Sequence, residues 1–320
     1  MKVLGLTCGR TMSNTEILVK EALMGAEGAG AEVEIVRLMD LNIKPCTGCN
    51  SCVISLFEKG GSGDCVIKGD DFGFIDEKIL DCDGLIVGSP VYEKAPQGIL
   101  KVLNDRMGPG HDLAFRMIAK KIREANGITS GKGPDERSFK TRVAALLAVG
   151  GSDWTTLALP MMQIFALPMS MTVVDQQLFQ WTALPATIVL KKEMLERARR
   201  SGRHVAETLK QPTEKAKYIG PRGACPVCHS SLLELGKTSE KVLCAVCGVK
   251  GTLNGDSETY ALEVSKEDWP HSHVLLSGKF MHADDLRNIS LKPHPRMSEI
   301  PELIEKYKEY LKVRSPRNQS

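Results

Sequence analysis

The sequence has 320 residues, 42% of them apolar and 25% charged, and its formal net charge at pH 7 is +3. This length allows two domains, and so small a charge argues against nucleic acid or an anionic membrane as a partner. No apolar run reaches the roughly 18 residues of a membrane span, and MKVLGLTCGR lacks the features of a signal peptide. We therefore expect a cytoplasmic protein. Disulfides are rare in that compartment, so the ten cysteines point to metal or redox chemistry.

Residues 1–212 alternate between β-rich and amphipathic stretches. The predicted strands are 2–7, 31–38, 83–90, 142–151 and 169–176, and the predicted helices lie around 17–24 and at 70–83, 95–106, 154–167 and 191–210. Such alternation predicts an α/β fold with a doubly wound, five-stranded parallel sheet. A further helical stretch at 114–127 carries Arg116, Lys120, Lys121 and Arg123, for which we favour a solvated face over a docking surface.

The loop after the first predicted strand, TCGRTMSNT, has the composition of an anion site. It combines hydroxyl and amide side chains with one cation and no acid, and it leads into a helix N-terminus, where unpaired N–H groups attract phosphate. An ordinary capped loop is the alternative, because Ser, Thr and Asn are also favoured as caps. The residues that we expect to bind the ligand here are Thr7, Cys8, Arg10, Ser13, Asn14 and Thr15.

Two further loops should lie at the same edge of the sheet, because ligands of open parallel sheets bind beyond the carboxyl ends of the strands. GSPVY follows the third strand and GGSDW follows the fourth. Their glycines allow close backbone approach and their rings offer flat faces. The expected contacts are Ser89, Pro90, Val91, Tyr92, Gly150, Gly151, Ser152 and Trp154. Together the three loops suit a flat, phosphorylated heteroaromatic ligand.

The motifs TCGRTMSNT, GSPVY with PQGILKVLNDR, and AVGGSDW resemble those of the flavodoxin-like FMN reductases, and most of all the iron–sulfur flavoproteins among them. The resemblance covers about residues 1–210. It implies FMN, with its phosphate in the 7–15 loop and its ring against 88–92 and 150–154. Cys8 and Gly9 stand where such loops often carry Ser and Pro, so we expect Cys8 to contribute backbone rather than to act as a nucleophile.

Four cysteines, Cys46, Cys49, Cys52 and Cys65, follow the second predicted strand with the spacing C-x2-C-x2-C-x12-C. A triplet and a singlet suit a [4Fe–4S] cluster, whose four irons each take a thiolate. A zinc site or no metal at all are the alternatives. The iron–sulfur flavoproteins carry a similar motif here, although the gap before Cys65 is longer in this sequence. Cys82, in a predicted helix, is expected to be a buried small hydrophobe.

A second group of cysteines forms two C-x2-C knuckles separated by fifteen residues: Cys225, Cys228, Cys244 and Cys247. This spacing predicts a tetrahedral four-sulfur site in a small β-rich metal domain, with a hairpin between the knuckles. Structural zinc is favoured, and a single redox iron, as in rubredoxin-like modules, is the alternative. The predicted domains are 1–212 with the iron–sulfur loop 46–65, the metal domain 213–266, and an extension 267–320 that ends in a helix at 298–313.

The favoured interpretation is an oxidoreductase that contains FMN and a [4Fe–4S] cluster and passes electrons from a ferredoxin-like donor, or NAD(P)H, to a small-molecule acceptor. One alternative is a flavin-dependent reductase that acts directly on a small organic substrate, such as a quinone, an aromatic or an activated alkene. Another is a zinc-ribbon interaction protein on a flavodoxin-like scaffold. Related flavoproteins are homo-oligomers, so we expect a dimer or tetramer.

Overall fold

The computed structural model describes residues 1–235, 241–255, 260–290 and 295–309. The strands are Lys2–Thr7 (β1), Glu32–Arg37 (β2), Gly84–Tyr92 (β3), Ala95–Pro96 (β4), Val143–Val149 (β5), Thr172–Phe179 (β6), Leu233–Leu235 (β7), Val242–Cys244 (β8), Lys250–Gly255 (β9) and Tyr260–Glu263 (β10). The helices are Asn14–Gly28 (α1), Ser51–Lys59 (α2), Phe72–Asp81 (α3), Gly98–Met107 (α4), Leu113–Ala125 (α5), Ala158–Ala166 (α6), Lys192–Thr208 (α7), Leu276–Ser290 (α8) and Ile300–Glu309 (α9).

Five parallel strands form the main sheet in the order β2-β1-β3-β5-β6, as the alternation of strands and helices predicted. The order reverses between β1 and β3, and in doubly wound folds this switch point opens the crevice in which ligands bind. The backbone N–H of Cys8 donates to the carbonyl of Gly88 at 2.9 Å, which ties the two strands together where the crevice begins.

Helices cover both faces of this sheet. On one face, α3, α4 and α6 bury side chains such as Ile75, Leu100 and Met162. On the other, α1 and α7 bury side chains such as Leu18 and Val205. All seven residues of β5 are buried, as expected for a strand covered on both sides. The carboxyl edge of the sheet is therefore the place where loops emerge from between two helical layers.

The helices α1 and α7 cross with their backbones in contact. A Cβ atom built on Gly25 would lie 1.9 Å from the carbonyl oxygen of Arg199, and one built on Gly202 would lie 1.7 Å from that of Ala22. Only a residue without a side chain fits at such a crossing. These two glycines thus set the distance between the helices.

Several predicted boundaries shift for identifiable reasons. The fifth strand begins at Thr172 rather than 169, because Ser170 turns the chain with a φ of 50°. The helix predicted at 154–167 begins at Ala158, which places Pro160 in its first turn, where proline is tolerated. The helix predicted at 95–106 begins at Gly98, because Ala95–Pro96 pairs antiparallel with the end of β3.

The cysteine-rich segment 46–65 is not a plain loop, because α2 lies inside it. Helix α2 packs against α5, the basic stretch that was predicted as a solvated face. That prediction was wrong for Arg116, which is buried and donates from Nε to the carbonyl of Gly110 at 2.7 Å. Burial lowers the pKa of Arg116, and the charges of nearby aspartates offset part of this decrease. Lys120 pairs with Glu136 at 2.9 Å.

A second, antiparallel sheet has the order β10-β9-β8-β7 and carries the four-cysteine cluster, which confirms the small β-rich metal region of the predicted fold. The predicted hairpin corresponds to the pairing of β7 with β8, and its turn falls outside the described residues. Residues Met1–Met281 form one compact unit, and His282–Ser320 form another. The predicted domain boundaries after 212 and 266 stay predictions.

The last helix predicted from the sequence, at 298–313, is present as α9 over Ile300–Glu309, and the rest of that prediction lies outside the described residues. In the ranges that the structure describes, none of the helices has the length and apolar character needed to cross a membrane.

Candidate active site and metal centre

The three loops predicted to bind a ligand meet at the carboxyl edge of the main sheet. Thr7 at the end of β1 is in register with Gly88 of β3, and Pro90 of β3 is in register with Val149 of β5. Because parallel strands end on the same side, the loops that follow them are neighbours. The fold thus brings 7–15, 88–92 and 150–154 together.

The first loop offers backbone donors rather than side chains. Thr7, Cys8 and Thr15 are buried, and the Thr7 hydroxyl accepts from the N–H of Gly9 at 3.2 Å. The Ser13 hydroxyl caps α1 by accepting from the N–H of Glu16 at 3.3 Å. Within the described part of the chain, the N–H groups of residues 10–12 have no protein acceptor. Free amides beside a helix N-terminus fit a phosphate.

One acidic side chain lies close to this loop, in the first turn of α1. Glu16 is buried and accepts from Arg37 at 2.6 Å and from Lys20 at 2.7 Å. Although burial by itself would raise the pKa of Glu16, the hydrogen bonds from these two cations hold it below its ordinary value. The charge of Glu16 is therefore balanced by the protein and does not oppose an anion in the loop.

The side chain of Asn14 holds a neighbouring loop. Its Nδ2 donates to the carbonyls of Thr182 and Leu184 at 2.7 and 2.8 Å, and its Oδ1 accepts from the N–H of Ile188 at 3.1 Å. With the amide engaged in this way, Asn14 supports the site from behind, and its direct contact with the ligand stays a prediction. Arg10, in contrast, is exposed.

Replacing Asn14 by Ala should lower the free energy of unfolding by about 3 kcal/mol, because each buried partner left unsatisfied costs about 1–3 kcal/mol. Urea denaturation measures the effect. Replacing Ser13 by Ala removes only one helix cap and should cost about 1 kcal/mol. Equal losses in the two variants would contradict the bridging role of Asn14.

Exposed aromatic rings surround the crevice. Tyr92 and Trp154, both predicted, are 62% and 63% exposed, and Lys94 Nζ lies 5.4 Å from the ring centroid of Trp154. Trp181 is 65% exposed and was missed, because the fifth strand was placed too early and its following loop was therefore not searched. A tryptophan beyond the end of a strand was the available signal. Flat exposed rings suit a planar ligand.

The remaining predicted contacts shape the turns. Gly150 allows close packing, since a Cβ there would lie 2.4 Å from Thr155 Cγ2, whereas Gly151 and Ser152 lie at the surface of the same loop. Ser89 is buried, and its hydroxyl accepts from the N–H of Gln97 at 2.9 Å. Pro90 and Val91 complete β3. Glu93 and Lys94 follow with φ of 46° and 69°, a two-residue hairpin turn that joins β3 to β4.

A cavity of about 490 Å³ adjoins the loop after β5. One side comes from residues 153–163 and 176–180, and the other from 221–223 and 229–232, which flank the first cysteine knuckle, Cys225–Cys228. Gln176 Nε2 donates to the carbonyl of His229 at 3.2 Å, and the Tyr218 ring stacks on His229 at 3.9 Å. Burial lowers the pKa of His229, and Arg222 lowers it further, which favours an uncharged imidazole.

The second cysteine group is gathered as the spacing predicted. Its four ligand atoms lie within 4.8 Å of one another, and all four residues are buried. The Sγ of Cys225 lies 3.6 Å from that of Cys247, and the Sγ of Cys228 lies 3.5 Å from that of Cys244. Gly248 turns its knuckle with a φ of 72°. Four convergent sulfurs suit a single tetrahedral ion such as zinc.

The sulfur atoms themselves favour an ion in this cage. Hydrogen bonds among the four thiols lower the pKa of Cys244 and raise that of Cys228. Full ionisation of four buried thiols needs a compensating cation. The donor set therefore fits the predicted metal, and it does not distinguish zinc from iron.

The first cysteine group is arranged differently. Cys46 and Cys49 are exposed, Cys52 lies in the first turn of α2, and Cys65 is half-buried. Across the ranges that the structure describes, the second group is the one set of three or more His, Cys, Asp or Glu ligand atoms within 4.8 Å of one another. The ligand atoms of the first group do not converge to this distance. A four-iron cluster spreads its thiolates over four metal corners and so does not require such closeness.

Two observations fit a cluster in the 46–65 segment. The N–H of Gly48 lies 3.4 Å from the Sγ of Cys46, an amide-to-sulfur contact. The buried Nε of Arg106 has no hydrogen-bond partner among the described residues. Although burial lowers the pKa of Arg106, the hydrogen bond to Asp70 and the charge of Cys65 together raise it above its ordinary value. A buried, unpaired N–H suits an acceptor that the protein itself does not supply.

Residues 1–183 match the family described as NADPH-dependent FMN reductase. The chain belongs to this family. It is 33% identical over 298 residues to a flavone synthase of Aspergillus candidus, an alignment that covers 89% of this chain and 88% of the relative. A solved structure described as a flavone reductase superimposes with a TM-score of 0.82 at 31% identity, covering 99% of this chain and all of the other.

This chain also matches iron–sulfur flavoproteins, over shorter spans of sequence. The protein of Methanocaldococcus jannaschii is 40% identical over 110 residues, 34% of this chain and 53% of the relative. That of Methanosarcina thermophila is 31% identical over 153 residues, 48% of this chain and 64% of the relative. These matches confirm the resemblance drawn from the loop motifs. This chain is thus a flavin-dependent oxidoreductase.

Proposed function

We propose that this oxidoreductase exchanges two electrons between FMN and a flat, conjugated organic substrate bound in the 490 Å³ cavity. The observation that carries the proposal is the position of that cavity, directly beside the loop 150–154 and closed on its far side by the metal region. When bound, FMN supplies hydride chemistry that no side chain can perform. The protein binds the flavin, positions the substrate and excludes water.

The chain's own groups have distinct tasks in this proposal. The free amides of residues 10–12 bind the phosphate of FMN. Tyr92 and Trp154 place flat faces against its ring. The cavity offers neutral polar groups, among them Thr155, Gln176 and Gln180, that can orient a carbonyl or hydroxyl of the substrate.

The substrate class follows from the relatives that share the whole architecture. Both full-length matches are named for flavones, which are flat aromatic molecules with an alkene conjugated to a carbonyl. An alkene conjugated to a carbonyl accepts a hydride at its β-carbon and a proton at its α-carbon. The two electrons that the flavin loses are thus the two that the alkene gains. We extend this class, an aromatic ring bearing an activated alkene or its reduced form, to the present chain.

A relay of single electrons into FMN is the second candidate, and the amide-to-sulfur contact of 3.4 Å between Gly48 and Cys46 is the observation that favours it. In this proposal Cys46, Cys49, Cys52 and Cys65 hold a [4Fe–4S] cluster that accepts electrons from a ferredoxin-like donor. NAD(P)H is the donor if the cluster is absent. The second cysteine group holds structural zinc in this proposal. That the protein forms a homo-oligomer stays a prediction.

Replacing Thr156 by Trp should fill the cavity, since Thr156 is exposed and lines it. We expect KM for a flavone to rise at least tenfold, while the rate of flavin reduction by NAD(P)H or reduced ferredoxin stays unchanged. Anaerobic stopped-flow absorbance separates the two steps. Thr129→Trp, exposed and remote from this cavity, is the control. Equal KM values in all three proteins would refute the assignment of the cavity.

The cofactor content tests the second candidate. Anaerobically purified protein should contain about four iron, four sulfide, one zinc and one FMN per chain. Five iron without zinc would make the second cysteine group a redox site. FMN without sulfide would eliminate the relay and leave the flavin-dependent reaction with the organic substrate intact.

A further inference from the structure

A second cavity, of about 340 Å³, lies between the end of α6, the start of β6 and the metal region. It adjoins the 490 Å³ cavity, because Gln163 and His229 line both. None of the described residues that line it is an Asp, Glu, Lys or Arg, and most of them are apolar, such as Ala166, Met171, Val174, Val227, Val246 and Leu275. The lining therefore suits an uncharged, largely apolar ligand.

Aromatic side chains add flat faces to this lining. The rings of Tyr218 and His229 stack with their centroids 3.9 Å apart, and both residues line the cavity. Trp269 is the third ring in the lining and is 41% exposed. The Tyr218 hydroxyl already donates to the carbonyl of Pro221 at 2.8 Å, so it is engaged within the protein. Aromatic faces favour a ring as the apolar part of the ligand.

Gln163 supplies an unsatisfied acceptor at this cavity. The residue is 4% exposed, and its Nε2 donates to the carbonyl of Cys228 at 2.5 Å. Because a carbonyl oxygen can only accept, the amide nitrogen must lie on that side and the amide oxygen on the other. Oε1 is buried and has no hydrogen-bond partner among the described residues. A ligand that carries an O–H or N–H donor satisfies it.

Ser170 supplies a second unsatisfied polar atom, and it lines this cavity but not the 490 Å³ one. Its hydroxyl is buried and lacks a partner in the part of the chain that the structure describes. The backbone holds it in a turn, where the N–H of Ser170 donates to the carbonyl of Leu167 at 2.9 Å. A hydroxyl both donates and accepts, so Ser170 marks the place of a second polar group on a larger ligand.

Water alone is a poor occupant for this cavity. A volume of 340 Å³ has room for about ten waters at about 30 Å³ each, and a buried water typically makes about three hydrogen bonds. The mostly apolar lining offers them few partners. An apolar group that displaces poorly held waters gains affinity, so the cavity favours an organic ligand.

We infer that the 340 Å³ cavity binds an uncharged, phenol-like ligand whose hydroxyl donates to Gln163 Oε1. An engineered cavity of about 150 Å³ holds benzene, so this volume accommodates two fused rings. Among the described residues, none from the loops 7–15, 88–92 and 150–154 lines the cavity. The inference therefore assigns binding without electron transfer, and it does not rest on the proposed function.

The test is equilibrium dialysis of the holoprotein with 2-naphthol and with naphthalene, which has the same two rings and no donor. Gln163→Leu removes the acceptor. Ala216→Phe fills this cavity, because Ala216 is half-buried and lines it without lining the 490 Å³ cavity. Thr156→Trp, which fills the other cavity, is the matched control. Circular dichroism and metal analysis verify that each variant is folded.

We expect 2-naphthol to bind the parent and Thr156→Trp with equal affinity, and to bind Ala216→Phe at least tenfold more weakly. Naphthalene should bind the parent about tenfold more weakly than 2-naphthol, and Gln163→Leu should abolish this difference. Equal binding of the two compounds by the parent, or no binding of either, would overturn the inference. Loss of 2-naphthol binding in Thr156→Trp but not in Ala216→Phe would also overturn it, and would leave the proposed substrate cavity intact.

Discussion

Replacing Cys244 by Ser should release the metal ion and unfold the four-cysteine region, the largest effect that we expect from any single substitution. Cys244 is fully buried among three other sulfurs and also ends β8. Structural zinc contributes about 10–16 kcal/mol in zinc-finger peptides, so losing one of four ligands should cost several kcal/mol. Metal analysis and thermal unfolding measure the loss directly.

The same substitution should raise KM for the organic substrate without releasing FMN, because residues 221–223 and 229–232 wall the cavity while the flavin loops belong to the main sheet. Cys82→Ala is the matched control. Cys82 is also buried, burial raises its pKa to about 11, and it is not a member of the four-cysteine cluster. A Cys244→Ser protein with one metal ion per chain and an unchanged KM would contradict this coupling.

Replacing Gly202 by Ala should lower the free energy of unfolding by about 3 kcal/mol or more, since overpacking costs about 1–3 kcal/mol even where side chains can adjust. Here the added methyl group would meet the backbone of Ala22, which cannot move without separating α1 from α7. Urea denaturation followed by circular dichroism measures the change.

Gly28→Ala provides a control of opposite sign. Gly28 lies at the end of α1, and a Cβ built there has nothing within 4 Å. Alanine is a better helix former by about 1 kcal/mol, so this variant should be as stable as the parent or more so. If Gly202→Ala behaved like Gly28→Ala, the two helices would not be in backbone contact.

Local patterns in the sequence predicted those parts of the fold that depend on neighbouring residues. The order of strands and helices followed from hydrophobic periodicity, and the two cysteine knuckles followed from spacing alone. The start of β6 was misplaced because Ser170 adopts a positive φ that its residue type does not signal. Trp181 was missed in consequence, because a loop is found only after its strand is placed.

The site residues whose role depends on distant partners were beyond sequence reasoning. Asn14 was predicted to bind the ligand, which stays a prediction, and the sequence did not indicate its hydrogen bond to Thr182, 168 residues away. Arg116 was assigned to a solvated face, yet its partner Gly110 belongs to a turn that buries it. Arg106 attracted no attention, since nothing in its neighbourhood along the chain indicates a buried cation that reaches both Lys44 and Ile67.

The two walls of the cavity come from two separate parts of the chain. Residues that would hold the flavin lie in loops of the main sheet, whereas one whole wall of the cavity is encoded by a short stretch, 221–232. If the cavity binds the substrate as proposed, we expect substitutions at its lining positions in that stretch to change substrate binding and to leave flavin reduction unchanged. The cysteines Cys225 and Cys228 lie within this stretch, so the same dozen residues carry both a wall of the cavity and half of the four-sulfur site.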